Sequence, residues 1–335
     1  RGLWVMDDVA SLRQVADART DAPILFRPAV AVRVRRNENK DTPLPPEEPA
    51  GQNPPEGAII DYWLPKDVDG PVKLEIDDAA GRTVRRYASD APQTKLETDL
   101  YFNSAWLSPP EKLPAEAGGH RFVWDLRYPR PLALNYDYSI AAVYGRGGEV
   151  LPDGPLVLPG RYTVKLTAGG RTYSQPLEVT LDPRVSAKDA KTALPAQLKF
   201  ADEIGESMRQ SYTAHEEVAE LRADVAKLKP QLAGASDAAL AQSLAAFDAK
   251  AEELESKAKD RKNLRAINGG LAGLASEIGD SDRSPPAQYR EAYEVYAASL
   301  KEALKQWSEL RGTDLPKLDA ALKARGFAPL EAKGP

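Results

Sequence analysis

With 335 residues the chain is long enough for two or three domains and a sizeable buried core. Its 45 Lys and Arg against 50 Asp and Glu leave a formal net charge of −5 at pH 7, so no positive field gathers phosphates and nucleic acid is not an expected partner. Zero Cys and two His exclude disulfides, thiolate nucleophiles, iron–sulfur clusters and ordinary zinc sites, and no apolar run approaches the ~18 residues of a membrane span.

The chain opens Arg1-Gly2-Leu3-Trp4-Val5-Met6 and then Asp7-Asp8, an apolar β-type run with neither an initiator Met nor a signal segment ahead of it. One such strand needs neighbours, so either its partners are missing or it is frayed, and the chain reads as part of something longer. Ala10 to Gln14 suits a helical turn, and Pro23-Ile24-Leu25-Phe26-Arg27-Pro28 followed by Val30, Val32 and Val34 suits a further extended piece. Asn37 to Pro55 carries Pro43, Pro45, Pro46, Pro49, Pro54 and Pro55 among charged and amide side chains. That composition cannot bury enough surface to offset ordering and reads as a mobile or polyproline-like loop, closing a segment of residues 1–56.

From Gly57 apolar and polar residues alternate, in Ala58-Ile59-Ile60-Asp61-Tyr62-Trp63-Leu64 and in Val72-Lys73-Leu74-Glu75-Ile76-Asp77, as half-buried strands do. A turn at Ala79-Ala80-Gly81-Arg82 leads to Val84 to Tyr87, and further strands are expected over His120 to Leu126, Tyr162 to Thr167 and Thr172 to Leu181. Gly169-Gly170 tolerates the positive φ of a two-residue hairpin, and Pro176 cannot donate to a ladder, so its strand should be an edge or bulged there. The spacing over residues 57–183 suits a β-sandwich.

After Asp182-Pro183-Arg184 the composition turns to Ala, Leu, Lys and Glu, with Ser186 a cap and Asp189 three residues on. Leu198, Ala201, Ile204, Met208, His215, Val218, Val225 and Leu228 form one apolar stripe on a helix that Pro230 helps to end. Leu240, Leu244, Phe247, Ala251, Leu254 and Ala258 mark a second helix, and the rhythm breaks near Asp260 to Asn263 before resuming at Leu264, Ile267, Leu271, Leu274 and Ile278. Ser284-Pro285-Pro286 opens the next, with Ser as cap, and a last helix from about Leu315 to Arg325 stops at Gly326. Residues 184–335 therefore read as an up-and-down, antiparallel helical bundle.

Pro71 to Ile76, Gly119 to Asp125 and Pro159 to Val164 together resemble the small immunoglobulin-like domain of flagellar hook-capping proteins and of many exported bacterial enzymes, with two long insertions at about Asp90 to Gly118 and Tyr128 to Leu158. The opening run, Gly119 to Tyr128, and Asn268-Gly269-Gly270-Leu271-Ala272-Gly273-Leu274 with Ala292-Tyr293-Glu294-Val295-Tyr296 and Asp314-Leu315-Pro316 resemble the C-terminal part of bacterial exported proteins built on a BNR-type, sortilin-like β-propeller. The resemblance covers nearly the whole chain. It implies an α+β multidomain protein, an Ig-like β-sandwich followed by an antiparallel helical bundle, whose first residues are an orphan strand of a propeller blade. It further implies an extracytoplasmic location, periplasmic or secreted, and an upstream β-propeller, in the same or a separate chain, as partner. Members are often labelled glycosyl hydrolases by analogy with propeller sialidases, so an accessory role in carbohydrate binding by such an enzyme is the alternative to a non-catalytic structural and interaction role. No Asp-box of the Ser-x-Asp-x-Gly-x-x-Trp type occurs, and no catalytic residue carries over.

No cofactor or metal site is expected. His120 reads as a strand-edge side chain with one hydrogen bond, and His215 as a neutral core imidazole bonded to a neighbouring helix. Asp280-x-Asp282-x-Ser284 fails as a calcium loop because Pro285 stands where a Gly is needed, and Asp67-x-Asp69-Gly70 reads as a polar turn. Gly269-Gly270-x-x-Gly273 lacks the Lys-Ser/Thr of a phosphate loop and reads as close helix packing, and Gly145-Arg146-Gly147-Gly148 as a flexible loop. The candidate ligand-binding residues are the loop aromatics Tyr101, Phe102, Trp106, Tyr128, Tyr136, Tyr138 and Tyr144, which either contact a carbohydrate or protein partner or close over the sandwich and dock it.

Overall fold

The computed structural model describes residues 6–15, 21–35, 55–66, 68–92, 112–138, 150–233, 237–259 and 261–330. The architecture is mixed α/β and divides into two units. One comprises Arg1–Arg130, Asp137–Leu198 and Ser281–Arg283, the other Pro131–Tyr136, Lys199–Asp280 and Ser284–Pro335.

The first unit holds a helical turn α1 (Leu12–Val15) and ten strands among its described residues. They are β1 (Ile24–Leu25), β2 (Ala31–Arg33), β3 (Ala58–Leu64), β4 (Lys73–Asp77), β5 (Thr83–Ala88), β6 (Gly118–Trp124), β7 (Asp137–Tyr138), β8 (Val150–Leu151), β9 (Gly160–Ala168) and β10 (Arg171–Leu181). They form a three-stranded sheet ordered β1-β3-β6, a five-stranded sheet ordered β2-β10-β9-β4-β5, and the pair β7-β8. Alternation does the sorting: along β3 every second residue, Ala58, Ile60, Tyr62 and Leu64, is buried. These join Phe122 and Trp124 of β6 and Leu74, Ile76, Val164 and Leu166 of the larger sheet in one apolar cluster.

The hairpin at Gly169-Gly170 forms with φ of +56° and +75°, pairing Ala168 with Arg171. Pro176 pairs with Thr163 of β9, while β2 reaches only Val179–Leu181 of β10, so the proline sits where its strand has an open side among the described residues. At the β4–β5 turn the Asp78 carboxylate accepts from the backbone of Ala80 and Arg82, and Gly81 takes φ of +78°.

The extended piece expected over Pro23 to Val34 supplies strands to both sheets: β1 runs antiparallel to β3, and β2 runs parallel to β10. Arg1 to Val5 of the opening run lie outside the described residues, as does most of the proline-rich stretch. Met6 to Asp8 form no strand and are clamped instead. The Arg121 guanidinium donates to the carbonyls of Asp7 (2.6 Å) and Asp8 (2.9 Å) and forks onto Asp61, whose carboxylate also accepts from the Ser11 hydroxyl at 2.5 Å. The Gln14 amide exchanges two 2.9 Å hydrogen bonds with the backbone N–H and C=O of Arg27, taking the part of a strand partner.

Arg33 faces inward from β2 at 1% exposure. Its Nε donates to the Val157 carbonyl, and Nη1 lies 2.6 Å from Asp282, a charge pair whose angles fall outside ideal hydrogen-bond geometry. Arg35 holds the other oxygen of Asp282 at 2.5 Å, and Gln197 donates to the Ser281 carbonyl, so residues 281–283 belong to the β-rich unit. The Asp280-x-Asp282-x-Ser284 run therefore spends its middle carboxylate on two arginines.

The second unit is helical. Helix α2 (Ala187–Ala233), whose residues up to Leu198 fall in the first unit, starts where the Asp189 N–H meets the Ser186 hydroxyl at 3.4 Å. It passes Pro230 and ends three residues later, because a proline in the last turn forfeits a single N–H bond. Then come α3 (Ala238–Glu252), a π-turn (Glu253–Lys257), α4 (Leu264–Gly279), α5 (Ala287–Glu309), a π-turn (Leu310–Asp314) and α6 (Leu315–Lys323). Asn263 caps α4 by accepting from the Ala266 N–H at 2.7 Å, at the expected break in rhythm. Ser284 is not the cap of α5: Pro286, at φ −58° and ψ 151°, stands at that position and offers no side-chain acceptor. Ile204, Met208, Val218 and Val225 of α2 share one apolar cluster with Phe247, Leu271, Leu300 and Leu322 of the other helices. No helix among the described residues is long and apolar enough to cross a membrane.

Removing the Asp282 carboxylate strands a buried cation, so Asp282→Ala should cost about 3–5 kcal/mol in urea denaturation, whereas Arg33→Met with Asp282→Leu should cost far less. Burial works against the Asp282 charge, yet the paired Arg33 guanidinium and the hydrogen bond from Arg35 outweigh it and hold the carboxyl below its ordinary range. A depressed folded-state value means the contribution is fully present above the unfolded pKa of about 4 and is lost as pH falls through the folded one. The wild type should therefore lose more stability than the double variant below about pH 4.

Candidate functional site

Of the seven candidate aromatics, Tyr101, Phe102, Trp106 and Tyr144 lie outside the described residues. Tyr128 is half-buried against the β-rich core, and Tyr138 stands in β7. Tyr136 belongs to the helical unit, where its ring packs on the core and its hydroxyl donates to the Pro131 carbonyl at 2.9 Å. Tyr128 and Tyr136 thus serve different cores.

His120 has the single bond expected of it, Nε2 to the Glu116 carbonyl at 2.7 Å, with its ring 5.1 Å from that of Tyr62. His215 is buried as expected, but its bond is not to a neighbouring helix. Nδ1 meets Glu216, the next residue on α2, at 3.1 Å, and Nε2 has no hydrogen bond, lying 3.9 Å from Glu255. Nearby, Arg222 reaches Asp248 (2.9 Å), Glu252 (3.1 Å) and Glu255, while Lys229 also pairs with Asp248. Burial raises the cost of the Asp248 charge, but bonds from Lys229 and Arg222 hold its carboxyl below the ordinary range. Among the described residues no group of three or more His, Cys, Asp or Glu is placed to hold a metal ion.

Two positions on α4 organise the helical unit. Gly270 faces Tyr296 so closely that a β-carbon there would lie 2.2 Å from the ring, which confirms close packing as the role of that glycine. Asn268 is fully buried and makes four contacts. Its Oδ1 accepts from the Leu134 N–H (2.8 Å), and Nδ2 donates to the carbonyls of Leu132 and Met208 (both 3.1 Å) and to the Ser211 hydroxyl (3.0 Å). This one amide fixes the segment Pro131–Tyr136 on the helices. Reading the stripe Leu264, Ile267, Leu271 missed it, although a polar residue four positions after Leu264 falls on that buried face.

A trough of about 270 Å³ lies between α2 and α5. Its lining combines the apolar Ala214, Leu304 and Trp307 with Arg209, Gln210, Thr213, Glu217, Ser308 and Arg311. One oxygen of Glu217 accepts from both the Trp307 indole N–H (2.7 Å) and Arg311 (3.2 Å). Arg209 is forked onto Glu206 through Nε and Nη2. No sequence signal announced the trough, because its lining comes from separate elements: Ala214 and Glu217 on α2, Leu304 and Trp307 on α5, and Arg311 in the π-turn that follows.

A scan against protein-family models matches no family, and searches of curated proteins and of solved structures return no match.

Asn268→Ala should leave the Leu134 N–H and the Leu132 carbonyl without their partner and lower stability by about 2–3 kcal/mol. Hydrogen exchange should show the Leu134 amide losing its protection selectively, ahead of the amides of β9 and β10.

Proposed function

We propose that this chain is a non-catalytic structural and interaction region of an exported, BNR-type sortilin-like propeller protein. In this reading an Ig-like sandwich and an antiparallel helical bundle support a β-propeller. The observation that carries it is where apolar surface is left open. Of nine exposed large hydrophobic side chains among the described residues, seven lie between residues 6 and 34: Met6, Val9, Leu12, Val15, Val30, Val32 and Val34. Exposed apolar side chains scattered singly need no explanation, but seven within one stretch of the sequence supply what a docking module would cover.

This segment is also held in place. Arg121, Asp61, Ser11 and Gln14 pin residues 7–14, and β2 is hydrogen-bonded to β10. Met6, Val9, Leu12 and Val15 recur every third residue, and Val30, Val32 and Val34 alternate with the buried Ala31 and Arg33. An anchored apolar strip suits rigid docking of a neighbouring module, with the periplasm or exterior as its setting by the family resemblance.

Mixed with the propeller region in trans, the chain should elute as a 1:1 complex on gel filtration. Leu12→Ser with Val32→Ser should weaken that complex at least about tenfold while leaving the unfolding midpoint of the chain unchanged. Undiminished binding by this variant, or turnover of aryl glycosides by the chain alone, would overturn the reading.

A further inference from the structure

We propose that the connection between the π-turn Glu253–Lys257 and α4 is a docking point for an acidic segment of a partner polypeptide. Lys259, Arg261, Lys262 and Arg265 fall within seven residues and are all exposed. Lys257, just ahead of them, is taken by Glu252 at 2.7 Å, but none of these four has an ion-pair partner among the described residues.

Their arrangement is built rather than loose. The Lys262 N–H bonds to the Lys259 carbonyl at 3.3 Å, closing a turn that holds the two lysine Cα atoms within about 7 Å of each other. Asn263 then spans the join with α4. Its Nδ2 donates to the Ala258 carbonyl at 2.6 Å and its Oδ1 accepts from the Ala266 N–H at 2.7 Å, which sets Arg265 in the first turn of the helix. Arg261 occupies the third position of the preceding turn at φ +60°. Glycine or asparagine is the usual residue at such a position, because a β-carbon there crowds the neighbouring carbonyl oxygen. On backbone grounds alone glycine is the better choice, yet the position carries a cation. The Arg261 guanidinium lies 5.4 Å from the centroid of the Tyr296 ring, a cation–π contact that steadies the group and leaves its N–H donors uncommitted.

Charge decides the kind of partner. Four cations against Asp260 leave residues 259–265 at +3, so the other residues carry −8 to reach the chain's net −5. An extended anionic surface, whether bilayer or nucleic acid, would meet that negative field together with the turn and be repelled by it. A short acidic peptide meets only the turn, since charges beyond about 8–10 Å are screened at physiological salt. Its successive carboxylates fork onto arginine and answer the clustered lysines at several points, which one small anion cannot do.

The site lies wholly within the helical unit, so its test is independent of docking by the apolar strip. In titrations of the whole chain followed by amide NMR, hexaglutamate should shift the resonances of residues 259–266 saturably. The Kd should be on the order of 1 mM at low salt and weaken several-fold at physiological ionic strength. Hexaglutamine should leave the resonances unmoved, inorganic phosphate should bind at least about threefold more weakly, and vesicles of roughly one-third phosphatidylglycerol should not sediment the chain. Lys262→Gln with Arg265→Gln should weaken hexaglutamate at least about fivefold with the unfolding midpoint unchanged. Arg261→Gly should weaken it about twofold or more while holding or raising the midpoint, a combination that a purely structural arginine would not give. Absence of saturation, phosphate binding as tight as that of hexaglutamate, capture by the vesicles, or undiminished affinity in either variant would overturn the proposal.

Discussion

A guanidinium enclosed at the inner face of an edge strand is tolerable only if a carboxylate is brought to it. Arg33 imposes that condition on the β-rich unit, and Asp282, from the connection between α4 and α5, meets it. The rest of that unit arranges itself around the requirement: β2 is drawn beside β10, the Val157 carbonyl is turned inward to Nε, and residues 281–283 are incorporated beside strands far from them in sequence. Hydrophobic burial by Trp124, Tyr62 and Ile60 supplies the bulk of the cohesion, and its two-residue alternation sets which face each strand turns inward. The ion pair adds the condition that residues 281–283 lie beside β2.

The helical unit shows the same division of labour. Its apolar stripes bring the helices together, and a few buried polar groups say where. Asn268 engages both its amide oxygen and its amide nitrogen, with Leu134 on the one and Leu132, Met208 and Ser211 on the other, and Gly270 admits the Tyr296 ring. The Arg222 cluster repeats the pattern with charge, gathering three carboxylates around one guanidinium.

What could be read in the sequence was what is local. The Gly169-Gly170 turn was legible because two consecutive positive φ angles all but require glycine, and the boundary at Asn263 because apolar periodicity stops there. The Ser284 cap was misread because serine and proline both favour helix starts, and only the backbone geometry of Pro286 decides between them. Arg33 with Asp282, Asn268 with Leu134, and the Ala214–Trp307 trough were illegible because each depends on residues from separate elements. A single arginine in Ala-Val-Arg-Val alternation looks like any polar face, and only its partner reveals that it points inward. Of the candidate aromatics, Tyr128 and Tyr136 pack on the cores of separate units, and a tyrosine in a loop looks alike in sequence whether it will meet a ligand or a core.

The pairing of β2 with β10 and of Arg35 with Asp282 has a temporal side. Arg35 and Asp282 stand 247 positions apart. At ribosomal speeds of about 5–20 residues per second, roughly ten to fifty seconds separate the emergence of one from that of the other. Throughout that interval the nascent chain carries Arg33 and Arg35 with their counter-charge not yet made. The edge of β2 beside them is equally unclosed until residues 179–181 of β10 appear.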